Sequence, residues 1–173
     1  DSTIKGALDN WYNNNLSNYS NYIATSNGAT FCNDRTPYSG SGTGTVQTYY
    51  AAYNRLHSNR TPSLKCTDTG DRFATSVGLI TADEIAYAGG IISENNLGYY
   101  LYTGQYYWTM SPGYFDSSSP YPARVFIVDS DGWLRAYGSA GSTLGGRPVI
   151  NLKSNTKLTG LGTSSNPYVV EGG

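Results

Sequence analysis

The chain has 173 residues, enough for one domain with its own hydrophobic core and without a structural metal. Charged residues are only 13% of it, against ~25% in an average soluble protein, and a net charge of −1 excludes a basic field that would hold nucleic acid or an anionic membrane. Its polarity comes from the hydroxyls and amides of 17 Tyr and of tracts of Asn, Ser and Thr; with 21 Gly, this composition is typical of extracellular recognition surfaces.

Helices are predicted mainly in the first half. Residues 1–16 carry large side chains at helical spacing, namely Ile4, Leu8, Trp11 and Tyr12. The first turn can be capped by Asp1, Ser2 or Thr3. A glycine-rich stretch at 39–45 predicts a flexible loop, and 46–58 predicts either a helix or an aromatic extended segment. The clearest helix lies in 79–90, where Thr81 and Glu84 form a capping box and Gly89-Gly90 ends the helix.

After Gly90 the sequence predicts strands. Residues 98–115 alternate as strand, turn and strand, and 123–137 form a hairpin. Further strands are predicted at 147–152 and, as an edge strand, at 167–170. We therefore expect an α+β fold, with a mainly helical part at 1–90 and a mainly β part at 91–173, in a single domain.

The hairpin sequence FIVDSDGWLRAYG (126–138) carries the main functional expectation. A two-residue turn at Asp131-Gly132 is predicted, since Asp-Gly is a strong hairpin signal. This turn puts an aliphatic set on the core face, Val125, Ile127, Leu134 and Ala136. The other face then carries Phe126, Val128, Trp133, Arg135 and Tyr137, with Arg124 beside them. A three-residue turn with a glycine bulge would shift the register. Alternatively, the aromatic face packs against another element.

Two loops flank the hairpin, at 111–122 and 138–146. Both are rich in small polar residues, and the first also carries Tyr114, Phe115 and Tyr121. If both end on the same side of the sheet, they frame the aromatic face. The alternative is that they are plain connections.

Catalytic and metal motifs are weak in this sequence. His57 is the only histidine and is expected to be solvated. A carboxylate pair such as Asp116 with Asp129 has no supporting spacing. Asp129-Ser-Asp131-Gly resembles half of a calcium loop but lacks the later Glu ligand. We therefore expect no enzyme activity, no metal and no cofactor.

Cys32 and Cys66 are expected to form a disulfide, the alternative being two unpaired thiols in a reducing compartment. The apolar runs are too short to span a bilayer, so we expect no membrane contact by this segment. The chain begins at Asp1 without a signal peptide, so any export or anchor segment is expected upstream.

Several stretches resemble one family of bacterial surface or secreted proteins. They are YYWTMSP (106–112), ARVFIVDSDGWLRAYG (123–138), GGRPVINLKS (145–154), GTSSNPYVV (162–170), and, upstream, LITADEIAYAGG (79–90) and FCNDRTP (31–37). Modules of this family resemble the C-type lectin-like fold in the variant shared with formylglycine-generating enzymes. In those enzymes the catalytic cysteine pair lies in the C-terminal half, whereas both cysteines here are in the N-terminal half, so the activity is not carried over.

The same fold variant is used by the variable proteins of diversity-generating retroelements, in which side chains of a rewritten C-terminal stretch line a binding surface. The resemblance implies that 106–144 is the analogous stretch. Variable positions would be Tyr114, Asp116, Ser117, Ser118, Trp133, Arg135, Tyr137, Ser139 and Ser142. With Trp108 and the flanking Phe115, Tyr121, Arg124 and Phe126, they make up the expected ligand-binding set.

The expected function is an adhesin-like binding module, extracellular or on the cell surface, for a protein or glycan on another cell, phage or host surface. Oligomers are compatible with this role. The alternative is a structural pilin-like or cell-wall subunit; a carbohydrate-active enzyme is the weaker alternative.

Overall fold

The structure is a computed structural model that describes residues 2–42, 44, 46–66, 68–163 and 165–172. The chain forms two compact units. The terminal unit comprises Asp1–Thr30, Ala74–Gly78 and Val149–Gly173, and the central unit comprises Phe31–Phe73 and Leu79–Pro148. The described residues mix helices and strands, which confirms the α+β class.

The strands, in chain order, are β1 (Thr30–Cys32), β2 (Pro37–Ser39), β3 (Thr48–Tyr50), β4 (Arg72–Ala74), β5 (Gly78–Leu79), β6 (Ile91–Ile92), β7 (Tyr107–Phe115), β8 (Ala123–Val128), β9 (Trp133–Ser139), β10 (Pro148–Val149), β11 (Leu158–Thr159) and β12 (Val169–Val170). The α-helices are α1 (Thr3–Asn15), α2 (Ala51–Tyr53) and α3 (Ala82–Tyr87). Short 3-10 turns cover Ser17–Tyr19 and Thr69–Asp71, and α2 continues as a π-helical turn, Asn54–Ser58. No helix in the described residues is both long and apolar enough to cross a bilayer.

In the terminal unit, α1 confirms the first predicted helix. The Ser2 hydroxyl caps it by accepting from the Lys5 N–H, while Asp1, another predicted cap, lies outside the described residues. Leu8 and Tyr12 are buried as expected, but Trp11 is 41% exposed, so the predicted apolar face is narrower than the spacing indicated. At the other end of the chain, β11 and β12 pair antiparallel, and β12 lies within the predicted edge strand.

The central unit is built on a six-stranded sheet with the strand order β2-β3-β7-β8-β9-β6. All neighbours are antiparallel except β6, which pairs in parallel with β9. The alternative predictions for 46–58 both hold in part, since β3 leads directly into α2. Part of the glycine-rich stretch at 39–45 lies outside the described residues, namely positions 43 and 45.

The capping box of α3 is confirmed. The Thr81 hydroxyl accepts from the Glu84 N–H at 3.2 Å, and the Glu84 carboxylate accepts from the Thr81 N–H at 2.8 Å. Gly89 has φ +108° and follows the helix as predicted. Ile85 is fully buried.

One predicted strand is absent and another is shorter than expected. In 98–115 only β7 is a strand; the part before it forms turns, with Gly104 at φ +70° and a Tyr102 N–H to Tyr99 carbonyl bond. In 147–152 only β10 is a strand. In 98–115 aromatic residues raised the strand signal before β7, but Gly104 and its neighbours form turns there.

The hairpin register differs from the prediction by one residue near the turn. The Asp129 N–H donates to the Trp133 carbonyl, and Gly132 has φ +73°. The loop therefore has three residues, 130–132, and the prediction of a two-residue turn is wrong. Val128 therefore pairs with Leu134, and Ile127 with Arg135. A register shift between Val125 and Ile127 then restores the predicted alignment farther along.

The shifted register changes the side-chain faces of β8 in the part next to the turn, 126–128. Phe126 and Val128, predicted on the aromatic face, are fully buried. Ile127 is paired with Arg135 on the opposite face, yet it is only 7% exposed, so the prediction that it is buried is confirmed. The faces of β9 are as predicted, since Leu134 and Ala136 are buried. A one-residue slip moves the side chains of one strand to the other face, and here it affects β8 alone.

The disulfide between Cys32 and Cys66 is confirmed, with the two Cα atoms 5.6 Å apart. It closes a loop with a sequence separation of 34 residues. Loop-closure entropy for this length corresponds to about 4 kcal/mol of stabilisation.

Candidate ligand-binding face

The outer face of the central unit is the side of the β8–β9 hairpin opposite its buried side chains. Arg124, Trp133, Arg135 and Tyr137 reach solvent on this face, and Ile127 lies on the same side but is buried. Tyr137 is 48% exposed, and Trp133 and Arg135 are half-buried. The prediction that β9 presents these three side chains outward is therefore confirmed.

An aromatic cluster adjoins the outer face and consists of Tyr49, Tyr53, His57, Tyr114 and Tyr137. The ring centroids of Tyr49 and Tyr53 are 4.7 Å apart, and Tyr53 stacks on the His57 ring at the same distance. Tyr114 on β7 contacts Tyr137 edge to face at 5.6 Å. Tyr49 lies on β3, whereas Tyr53 ends α2 and His57 lies four residues later in the π turn, so the Tyr53 and His57 rings are neighbours along the helix.

Hydrogen bonds join three polar groups of the aromatic cluster. The Tyr137 hydroxyl lies 3.2 Å from the Tyr53 hydroxyl and 3.3 Å from His57 Nε2. Burial, and then the neighbouring Tyr137 hydroxyl, raise the pKa of Tyr53 well above its usual range. His57 is thus a half-buried member of the aromatic cluster, and the expectation of a solvated histidine is wrong.

Arg135 is held between an aromatic ring and a carboxylate. Its guanidinium lies 3.7 Å from the centre of the Trp133 ring, and its Nε donates to Asp129. Asp129 is 1% exposed and also accepts from the Asp131 and Trp133 N–H groups at 2.9 and 3.0 Å. Its oxygens therefore accept hydrogen bonds from the turn and from Arg135, so the first Asp of Asp-Ser-Asp-Gly stabilises the hairpin loop.

Arg124 is fixed in a similar way at the other end of the hairpin. It donates to the Tyr137 carbonyl at 3.1 Å and to the Ser119 hydroxyl at 3.3 Å, and its guanidinium lies 5.8 Å from the Tyr121 ring centre. Both arginines of the outer face are thus oriented by neighbours, so their positions are fixed before any ligand binds.

A cleft of about 120 Å³ opens on the outer face. Its lining comprises His57, Ile92, Ser93, Trp133, Leu134, Arg135, Ala136 and Tyr137. The sequence did not predict Ile92 and Ser93 here, because their position depends on the parallel pairing of β6 with β9. Ser93 has φ +65°, a conformation uncommon for non-glycine residues that often marks functional sites.

The two flanking loops lie at the same end of the sheet. The first joins β7 to β8 and the second follows β9, and the Ala140 N–H donates to the Ala123 carbonyl at 3.0 Å. In the first loop, the Ser118 hydroxyl and N–H bind Asp116 and lower the pKa of its carboxyl. The remaining predicted loop residues are exposed or half-buried: Phe115, Ser117, Ser118, Tyr121, Ser139 and Ser142.

Two predicted site residues lie in the core. Trp108 is 8% exposed and Phe126 is fully buried. Phe126 was predicted to face outward because the register was wrong. Trp108 was included because it lies in one of the segments that carry the family resemblance. Neither offers side-chain surface to a ligand on the outer face.

Comparison of the chain with protein-family models, with curated proteins and with solved structures found no match.

Proposed function

We propose that the chain is a ligand-binding module whose binding surface is the outer face of the central unit. The main support is that the aromatic cluster and the Trp133–Arg135 stack line the same cleft. Tyr, Trp and Arg are the side chains that dominate binding hot spots. A hydrogen-bonded sheet holds them in place, which lowers the entropy lost on binding.

We further propose a C-type lectin-like fold related to the variable proteins of diversity-generating retroelements. The support is the resemblance of the segments around Trp108–Pro112, 123–138 and 145–154. Under this proposal, exposed positions such as Ser117, Ser118 and Tyr137 vary, while buried Leu134 and Ala136 stay constant. A reverse-transcriptase gene beside a near-copy of the 3′ coding region would support this relation.

An extracellular or cell-surface location belongs to the same proposal. Its support is the Cys32–Cys66 disulfide, since disulfides persist in oxidising compartments. The expected ligand is then a protein or glycan on another surface.

The test is binding of the purified protein to arrays of glycans and of purified surface proteins. We expect Trp133→Ala and Tyr137→Ala to reduce binding at least tenfold, because each removes an anchor of the cleft. The melting temperature should change by only a few degrees, because both side chains retain solvent contact.

The matched control is Tyr100→Ala. Its side chain is 81% exposed and does not line the cleft, so binding should be unchanged. If both cleft variants unfold, or if they bind as well as the wild type, the outer face is not the binding surface.

A further inference from the structure

The size of the cleft limits its occupant. At about 120 Å³ it is somewhat smaller than the ~150 Å³ engineered cavity that holds one benzene. Sites for whole drug-sized ligands measure ~300–1,000 Å³. One six-membered ring fits if its edge remains at the opening. The cleft therefore suits a single side chain of a larger ligand.

The polarity of the lining selects the kind of ring. The surface that lines the cleft is mainly apolar and includes the rings of Trp133 and Tyr137, whereas Ile92, Leu134 and Ala136 are buried and present little side-chain surface to it. A pyranose carries polar groups around its whole ring, and each would need a hydrogen-bond partner inside the cleft. Apolar walls do not supply those partners. An aromatic ring, polar at one position at most, matches this lining better.

The charges around the cleft favour a neutral occupant. Arg135 is the charged side chain in the lining, and its guanidinium is already paired with Asp129 and stacked on Trp133. A carboxylate would compete with Asp129 for Arg135. An ammonium group would meet the positive guanidinium. Neither charged side chain gains a free counter-ion there.

Polar groups in the lining can engage one hydroxyl. His57 Nε2 and the Tyr137 hydroxyl belong to the hydrogen-bonded chain that continues to the Tyr53 hydroxyl. A hydroxyl oxygen has one donor and two acceptor positions, so this chain retains acceptor capacity. A phenol that enters the cleft can donate to it, whereas a plain phenyl ring cannot.

We infer that the cleft binds the phenol ring of an exposed tyrosine on a partner protein. This inference rests on the proposed function and deepens it, because it names the group that anchors the ligand. Specificity then comes from a neutral, ring-sized site with hydrogen-bonding groups in its lining, and the surrounding loops contact whatever flanks the tyrosine.

The experiment is an NMR titration with N-acetyl-L-tyrosinamide that follows the Trp133 indole N–H, assigned by its loss in Trp133→Phe. We expect a saturable shift. The phenylalanine amide should bind at least threefold more weakly, and methyl glucoside and the glutamate amide should cause no saturable shift. In Tyr137→Phe the preference for tyrosine over phenylalanine should fall to about one, because that variant keeps the ring and removes the hydroxyl.

Tyr100→Ala is the control and should bind as the wild type does, since its side chain lies outside the lining. An equal response to methyl glucoside would reassign the cleft to a sugar, and equal affinity for both aromatic amides would remove the hydroxyl's role. Sedimentation at the same concentrations detects self-association; a dimer dissociated by the tyrosine amide would make a second copy of the chain the occupant.

The outcomes separate this inference from the proposed function. If an array ligand binds in a Trp133-dependent way but no aromatic amide does, the binding face stands and its tyrosine anchor is wrong. If the amide binds but no array ligand depends on Trp133, the cleft is real and the module function is wrong.

Discussion

Arg55 shows how a single buried residue supports the candidate site. It lies in the π turn between Tyr53 and His57, and its guanidinium contacts two buried carboxylates. The Asp83 carboxylate accepts from Nε at 3.0 Å and from Nη2 at 2.8 Å, and Asp34 accepts from Nη1 at 2.7 Å. These bonds raise the pKa of Arg55 despite its burial. The π turn, which follows Tyr53 and carries His57, is thereby tied to α3.

Replacing Arg55 by Ala should lower the free energy of unfolding by about 3–5 kcal/mol, because two buried carboxylates would lose their counter-ion. Urea unfolding measures this. Arg35→Ala is the control: its side chain is 64% exposed and pairs with Asp71, and loss of such a surface pair costs ~1 kcal/mol or less. Equal losses in the two variants would show that the Arg55 ion group does not stabilise the turn.

At the scale of elements, the β8–β9 hairpin separates what the sequence could predict from what it could not. Alternation along β9 was enough to assign Trp133, Arg135 and Tyr137 to one face. The register of β8 was not predictable from the Asp-Gly turn signal, because the Asp129 carboxylate binds the Asp131 and Trp133 N–H groups and stabilises a longer loop. A side-chain bond to the backbone thus overrode a turn preference.

The rest of the site depends on contacts between segments distant in sequence. Tyr53 and His57 contact Tyr137 across 84 and 80 positions, and Ser93 reaches the cleft through β6. The sequence predicted a helix or an aromatic extended segment at 46–58, but not the strands against which its aromatic side chains pack. Local patterns predict which side chains share one face of an element, and strand pairing decides which of these faces come together.

Gly132 should tolerate no side chain in the hairpin loop. A Cβ there would lie 1.9 Å from the Asn96 carbonyl oxygen, and φ is +73°. We expect Gly132→Ala to destabilise the protein by more than ~2 kcal/mol, since backbone must move in addition to the ~1–2 kcal/mol cost of a left-handed residue.

The matched control is Gly104→Ala. Gly104 has a similar φ of +70°, but its Cβ would meet the Tyr102 hydroxyl at an ordinary 3.6 Å. It should therefore show the conformational cost alone. Chemical denaturation of both variants isolates the clash, and an equal loss would mean that the hairpin loop does not contact Asn96.

At the scale of the whole molecule, tyrosine serves in three environments. Tyr12, Tyr99 and Tyr107 are buried, the aromatic cluster holds four more, and others such as Tyr100 and Tyr168 are largely exposed. The composition indicated a recognition surface, but it could not divide 17 tyrosines among these environments. That division depends on the tertiary structure, and it gives the protein a specific response to alkaline pH.

Stability should fall as pH rises above about 10, the ordinary pKa of tyrosine in an unfolded chain. Burial raises the pKa of Tyr53, Tyr99 and Tyr107 in the folded state, and neighbouring hydroxyls add to the rise for the first two. Below pH 10 both states keep these protons and the stability is fully present. Above it the unfolded chain releases them while the folded chain holds them, so the unfolded state binds fewer protons and becomes favoured.

Thermal unfolding between pH 8 and 11.5, with absorbance at 295 nm to count phenolates, measures the loss of stability. Tyrosine-to-phenylalanine variants at 53, 99 and 107, made singly, should each lose less stability per pH unit than the wild type. If all three variants keep the wild-type slope of stability against pH, folding does not raise the pKa of these three tyrosines.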